Sequence, residues 1–366
     1  MGGWRAARPP RPLAPLGMTH RIAAIVALLL AAAAQAQVSE KITVERILID
    51  TRVTNDRGDP ILGLKPEDFR VRIDGKPATV ESAEWIPETT LARDLANIDA
   101  PPPPVEVNTS IDQPAPRGRL LIFFFQTDFA REPSRVIGQQ HILVTADKWL
   151  DWIEEDDRVA VFSFDSHMKF HLDFSGDKQR IKDAMMRALY IEEPLPPRMV
   201  PMPSMARRID REEMRKAYSP EAALIIIGNA LRSIPGPKSL ILFGWGLGRW
   251  VPGVGVFMEP KYAGARYALE RSRVSVFSID FTQADGHTLS AGLNKAAEDT
   301  GGFYASTFRF PQLALDRLQR TLSGHYELEV RKPETKVHGT HTIEVAVPKR
   351  RNANVMARTS YVDSSE

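Results

Sequence analysis

The chain contains no cysteine. That excludes disulfide frameworks, thiolate zinc sites, iron–sulfur clusters and cysteine nucleophiles. It also lacks an excess of either charge: 48 basic residues stand against 46 acidic ones, so there is no electrostatic footprint for nucleic acid. Long hydrophobic runs are scarce. The most prominent, Ile22 to Ala34, is shorter than the roughly 20 apolar residues of a membrane-spanning helix. No Gly-Lys-Ser/Thr phosphate loop and no Gly-x-Ser-x-Gly elbow occurs, which removes the usual signatures of phosphate-loop and α/β-hydrolase chemistry. With those exclusions made, 366 residues, 43% hydrophobic and 26% charged, have the composition of a globular protein of about two domains.

Residues 1–36 carry Arg5, Arg8, Arg11 and Arg21 and no acid, then the apolar run, then Ala34-Gln35-Ala36. A basic start, a short apolar core and a small-x-small exit describe a secretory signal peptide. Met18-Thr19-His20-Arg21 offers a second start with a complete basic region. The expectation is an exported protein, periplasmic or secreted, that touches a membrane only through the leader if uncleaved. Removing the leader takes four arginines and no acid, so the mature chain turns slightly acidic.

Behind the leader the pattern changes three times. Residues 37–99 read as an N-terminal β unit: Phe69 to Asp74 alternates and ends in Asp74-Gly75, a hairpin signal. Arg57-Gly58-Asp59 matches an adhesion tripeptide but sits in a cluster of turn residues. Residues 100–117, with Pro101 to Pro104, Pro114 and Pro116, form a Pro-rich linker. From 118 to 323, strands alternate with helices. Leu120 to Phe125 and Val159 to Phe164 are apolar runs of the kind covered on both faces. Ser219-Pro220 reads as a cap with a first-turn proline. Residues 191–217 read as a long inserted loop, and Glu154 to Asp157 as a solvated one. Residues 324–366 return to strands, expected to pair with 37–99. Strands alternating with helices imply a parallel sheet with right-handed crossovers, whose functional surface lies at the carboxyl ends of its strands.

The carrying motifs are Gly63-Leu64-Lys65-Pro66-Glu67-Asp68-Phe69, Asp74-Gly75-Lys76-Pro77, Asp156 to Phe164, Lys238 to Phe243, Val276 to Asp280 and Ala296 to Gly302. In this order they resemble a von Willebrand factor type A domain, more specifically the related domain of bacterial exported proteins. The resemblance spans almost all of residues 40–365. It implies an α/β fold: a doubly wound, mostly parallel sheet with helices on both faces. A small β-sandwich-like unit, built from the N- and C-terminal strands, would flank it. It also implies a divalent-cation site at the strand ends, because Mg²⁺ takes hard oxygen ligands and keeps positions open for a carboxylate. Here the family's ligand positions fall on Gln126, Asp128 and Ala130, then Ser219, then Trp245. A neutral amide, a methyl and an indole are poor replacements. The expectation is therefore no cofactor, with Mg²⁺ or Mn²⁺ held through Asp128 as the alternative.

Other chemistry is weaker. Gly244-x-Gly246-x-Gly248 follows a strand, but Pro252 blocks the helix that a phosphate would need. His167 and His171, four apart in a strand-and-turn context, have no third ligand at motif spacing. No nucleophile–base pair can be read, so no enzyme is expected. Adaptable methionines and tryptophans favour binding surfaces instead. The candidate interaction face is Asp128, Ser219, Trp245 and Trp250 with Met199, Met202 and Met205 of the inserted loop. The expected partner is a protein or a cell-envelope component.

Overall fold

The structure is a computed structural model that describes residues 45–95, 118–128, 133–196, 203–258, 260–282, 289–307, 311–333 and 339–363. The expected leader and linker, Ala130, Met199 and Met202 lie outside the described residues. No helix among the described residues is long and apolar enough to cross a membrane.

The first strands are β1 (Arg46–Thr54), β2 (Arg70–Ile73) and β3 (Lys76–Pro87), followed by a short helix α1 (Thr90–Leu95). Asp74 and Gly75 join β2 to β3 with φ of 50° and 73°, the two positive values that a two-residue hairpin with Asp-Gly adopts. The Arg57-Gly58-Asp59 tripeptide is a packed turn. Asn55 Oδ1 accepts from the N–H groups of Arg57 and Asp59 at 2.9 and 3.0 Å. A Cβ on Gly58 would lie 2.8 Å from the Arg317 carbonyl oxygen.

The middle of the chain runs β4 (Leu120–Gln126), α2 (Pro133–Asp151), β5 (Arg158–Phe164), β6 (Met168–Ser175), α3 (Lys178–Leu189), α4 (Arg211–Arg215) and α5 (Pro220–Leu231). It continues with β7 (Lys238–Gly244), β8 (Arg249–Val251), β9 (Gly255–Phe257), α6 (Lys261–Arg271), β10 (Val274–Asp280), α7 (Ser290–Thr300), β11 (Tyr304–Ser306) and α8 (Pro311–Thr321). The sheet order is β11-β10-β7-β4-β5-β6. Every pairing is parallel except that of the edge strand β6, which runs antiparallel to β5. Successive residues of the apolar runs face opposite layers, which is why the runs carry no polar alternation. Ile122, Phe124, Leu240 and Leu242 pack with Leu224 and Leu231 of α5 and Leu269 of α6. Leu121, Phe123, Phe125, Ile241 and Phe243 pack with Ile181 and Met185 of α3 and Leu318 of α8. The reading of 191–217 as a plain loop is corrected by α4, whose first turn is capped by Asp210.

The last strands are β12 (Gly324–Arg331), β13 (Thr340–Ala346), β14 (Asn354–Ala357) and β15 (Ser360–Val362). They share one seven-stranded sheet with the first three, in the order β14-β1-β12-β3-β2-β13-β15. Both outer strands belong to the single segment 354–362, so neighbouring stretches of chain occupy the two ends of the sheet. Ile49, Val53, Phe69, Val71, Tyr326, Leu328 and Ile343 form its core.

This sheet joins the α/β half at the amino ends of the parallel strands. Arg273, just ahead of β10, donates from Nε to Asp50 of β1 at 2.9 Å and from Nη2 to Glu327 of β12 at 2.5 Å. Burial would push the Asp50 carboxyl up, but the Arg273 hydrogen bond and charge outweigh it and hold the pKa at about 2. Burial, with Arg273 nearby, pushes Lys238 down to about 7. Its ammonium donates to the carbonyls of Gly236 and Ser272, both at 2.8 Å. Arg119, ahead of β4, donates from Nε to Asp157 at 3.1 Å and from Nη2 to the Trp152 carbonyl at 3.0 Å. The expectation of a solvated Glu154 to Asp157 holds at Glu155 and Asp156, which are exposed, and fails at Asp157. Asp157 is 1% exposed, because the guanidinium, the Arg119 N–H and the Glu154 N–H together satisfy its carboxylate.

Candidate functional site

At the opposite, carboxyl ends of the strands the structure brings together Gln126, Asp128 and Trp245. Gln126, the last residue of β4, is 2% exposed. Its Oε1 accepts from the backbone N–H groups of Trp245 and Gly246 at 3.2 and 3.3 Å. The amide thus bridges the ends of β4 and β7. It reaches because position 244 has no side chain: a Cβ there would lie 2.9 Å from Gln126 Oε1. The Trp245 indole N–H donates to Asp128 Oδ1 at 2.8 Å, and the rest of the ring packs on the core beneath.

Ser219 is the N-cap of α5, its Oγ accepting from the Ala222 N–H at 3.2 Å. Two residues on, the buried Glu221 accepts from the Gly248 N–H at 3.0 Å. That bond ties the loop after β7 to the start of α5. Asp280, at the end of β10, accepts from Tyr304 Oη at 2.8 Å and the Thr282 N–H at 2.9 Å. Burial and the Asp280 charge push the Tyr304 hydroxyl well above its ordinary range.

These partners decide whether a cation fits. The Gln126 oxygen already takes two N–H donors, Asp128 takes an indole N–H, and the third strand-end position is that indole. Hard cations want several uncommitted oxygens. No group of three or more His, Asp or Glu side chains suited to a metal exists among the described residues. The residues present do not fit a divalent cation.

The loop after β7 has no helix. It forms the hairpin of β8 and β9, with Trp250 opposite Val256. Trp250 is 52% exposed, Val254 69% and Phe257 42%, and the Arg249 guanidinium lies 5.4 Å from the Phe257 ring centroid. Of the sequence candidates, Trp250 is therefore at the surface. Trp245 is half-buried by its bond to Asp128 and its packing. Met205 does not belong to an exposed face: it is fully buried, drawn in as the Asp173 carboxylate accepts its backbone N–H at 2.9 Å.

Sequence reasoning missed one polar pair. Ser163 Oγ and His171 Nε2 are 2.8 Å apart, the spacing of a nucleophile and its base. Ser163 is 1% exposed near the end of β5, and His171 Nδ1 has no partner to orient the ring. The pair therefore lacks both access and a third member. Burial, helped by the charges of Lys169 and Arg187, lowers the His171 pKa to about 4.

No protein-family model and no curated protein sequence matches the chain. Solved structures that it is similar to include a von Willebrand factor type A protein from Catenulispora acidiphila, 8% identical over 89% of this chain and 76% of that one, TM-score 0.38. The BatB protein of Bacteroides thetaiotaomicron is 12% identical over 56% of this chain and 98% of its own, TM-score 0.35. The PilB minor pilin of Streptococcus sanguinis is 13% identical over 56% of this chain, TM-score 0.34, and the match spans 60% of the pilin. The resemblance to von Willebrand factor type A domains, read above from the order of motifs, recurs among these structures.

Proposed function

We propose that the chain is an exported, non-enzymatic module of the von Willebrand factor type A kind that binds a partner protein without a divalent cation. The partner meets the hairpin of β8 and β9. The observation that carries this reading is the contrast within one loop. Trp245 is committed to Asp128, while Trp250 on one face of a short ribbon, Phe257 on its other face and Val254 at its turn are exposed. An exposed Trp with Val256 opposite it on the same face has the composition of an interface anchor. The leader-like pattern of residues 1–36 supports export to the periplasm or beyond, where the partner is a protein or another envelope component.

A photo-crosslinking side chain at position 254 of the exported chain would identify the partner. The affinity of that partner for a Trp250→Ala, Phe257→Ala variant is then measured in chelator. The expected result is binding in chelator by the natural chain and a loss of at least about tenfold in the variant, the 1.4 kcal/mol step of a modest hot spot. Unchanged affinity in the variant moves the interface elsewhere. Binding that requires Mg²⁺ or Mn²⁺ and is lost in Asp128→Ala replaces this reading with cation-dependent recognition.

A further inference from the structure

A concave site lies away from the strand ends. It is a cavity of about 240 Å³ between the unpaired side of β6, helix α3 and Leu195-Pro196. At roughly 30 Å³ per water-sized atom, it accommodates about eight non-hydrogen atoms.

A β-bulge shapes its wall. Val161 stands opposite Leu172 and Phe162 opposite Phe170, so His171 has no cross-strand partner. The extra residue turns the strand. Phe170 joins the core on one face of the sheet, and Leu172 joins the other, beneath α3. His171 lies between them, 8% exposed, its Nε2 on Ser163. The Ser163 hydroxyl has no other hydrogen-bond partner among the described residues. Its proton therefore goes to Nε2, and Nδ1 carries the ring's own proton. That Nδ1 has no acceptor.

The buried carboxylate of the wall is spent, and its arginine donors are largely unspent. Asp173 is saturated: it accepts from the Phe174 and Met205 N–H groups at 2.9 Å each, from Ser204 Oγ at 2.5 Å and from the Ala206 N–H at 3.3 Å. Asp183 accepts from Gln179 Nε2 at 2.8 Å. Arg187 spends Nη1 on Glu192 at 3.1 Å. The Arg180 guanidinium, seven residues earlier on the same face of α3, has no ion-pair partner among the described residues. A wall with free Arg donors, a saturated Asp173 and apolar Leu172, Ala184 and Pro196 has the chemistry to take one anionic acceptor on an apolar body. Asp183 beside the arginines disfavours a dianion.

We propose that this cavity binds a small organic monocarboxylate, its carboxylate held by Arg180 and its apolar end resting on Leu172, Ala184 and Pro196. The partner hairpin plays no part in the proposal, so either can fail alone.

The test titrates the full mature chain, with the histidine ring resonances and calorimetry as readouts. The probes are butyrate, benzoate, butanol and inorganic phosphate. Saturable binding of butyrate or benzoate that shifts the His171 resonances, with none for butanol or phosphate, is the expected result. Arg180→Gln, on a half-buried helical position, should weaken binding about tenfold by removing a charge-assisted bidentate contact. Its unfolding midpoint should match that of the parent. Should Arg180→Gln misfold, Ala184→Leu fills the cavity from the apolar side and should abolish binding with every arginine intact. No saturable binding of either carboxylate at millimolar concentration overturns the proposal. So does carboxylate binding that survives both variants, and so does phosphate binding as tight as that of the carboxylates.

Discussion

The two ends of the parallel sheet are built from different materials. At the amino ends, charge does the joining: Arg119 with Asp157, and Arg273 with Asp50 and Glu327, are ion pairs that knit the strands to one another and to the seven-stranded sheet. At the carboxyl ends, the polar groups are closed by mostly neutral donors from their immediate neighbours. Gln126 takes two backbone N–H groups, Asp128 an indole and Ser219 its own helix. A functional surface needs uncommitted groups, and at the carboxyl end those are apolar and sit on the hairpin.

Predictions that break each end should differ in size. Arg119→Ala should cost most, about 3–5 kcal/mol by urea unfolding, because it leaves the Asp157 carboxylate buried and unpaired. Acid should act next, and at the β6 edge before the amino-end joint. His171 titrates near 4 in the folded chain and at about 6.5 unfolded, so the unfolded state takes up its proton first. Stability should therefore fall by about 3 kcal/mol between pH 6.5 and 4, at 1.36 kcal/mol per unit. A His171→Gln variant should lack that slope. Asp50 is shifted in the same downward direction and has a lower window. Its depressed pKa, about 2, makes a contribution that is complete above about pH 4 and is lost as pH falls to 2. The amount is about 2 kcal/mol. Unfolding curves of Arg273→Ala against the natural chain over that range would isolate it. If the slope between pH 4 and 2 persists in that variant, the joint has another anchor. Smaller still, Ser219→Ala should cost about 1 kcal/mol as the loss of a cap, independent of added salt. Trp250→Ala should change stability by no more than about 0.5 kcal/mol, since its side chain is largely in water.

Local rules made parts of the fold legible in the sequence. The apolar runs of β4, β5 and β7, the Ser219-Pro220 start of α5 and the Asp74-Gly75 hairpin each carry their signal within a few residues. Helix α6 was not, because its buried face consists of Tyr262, Ala265, Ala268 and Leu269 set among charged residues, a weak apolar stripe. Asp157 was misread as solvated because its partner Arg119 lies 38 residues away, beyond any local pattern. At the strand ends the sequence named Gln126, Asp128 and Trp245. It could not tell that the indole turns onto the carboxylate instead of out to a partner. Nothing local marks Asp173, and His171 is marked only by its strand-and-turn context. Their importance comes from the bulge and from a loop returning some 30 residues later.

The strand-end groups already have hydrogen-bond partners, and the proposed recognition needs no cation. The most direct test is the thermal midpoint of the mature chain, in chelator and then with excess Mg²⁺ or Mn²⁺. An unchanged midpoint is predicted. A ligand present at 100 times its dissociation constant stabilises by about 2.7 kcal/mol, roughly 5–10 °C for a domain of this size. A rise of that order, abolished in Asp128→Ala, would mean that the strand ends bind a cation through Asp128.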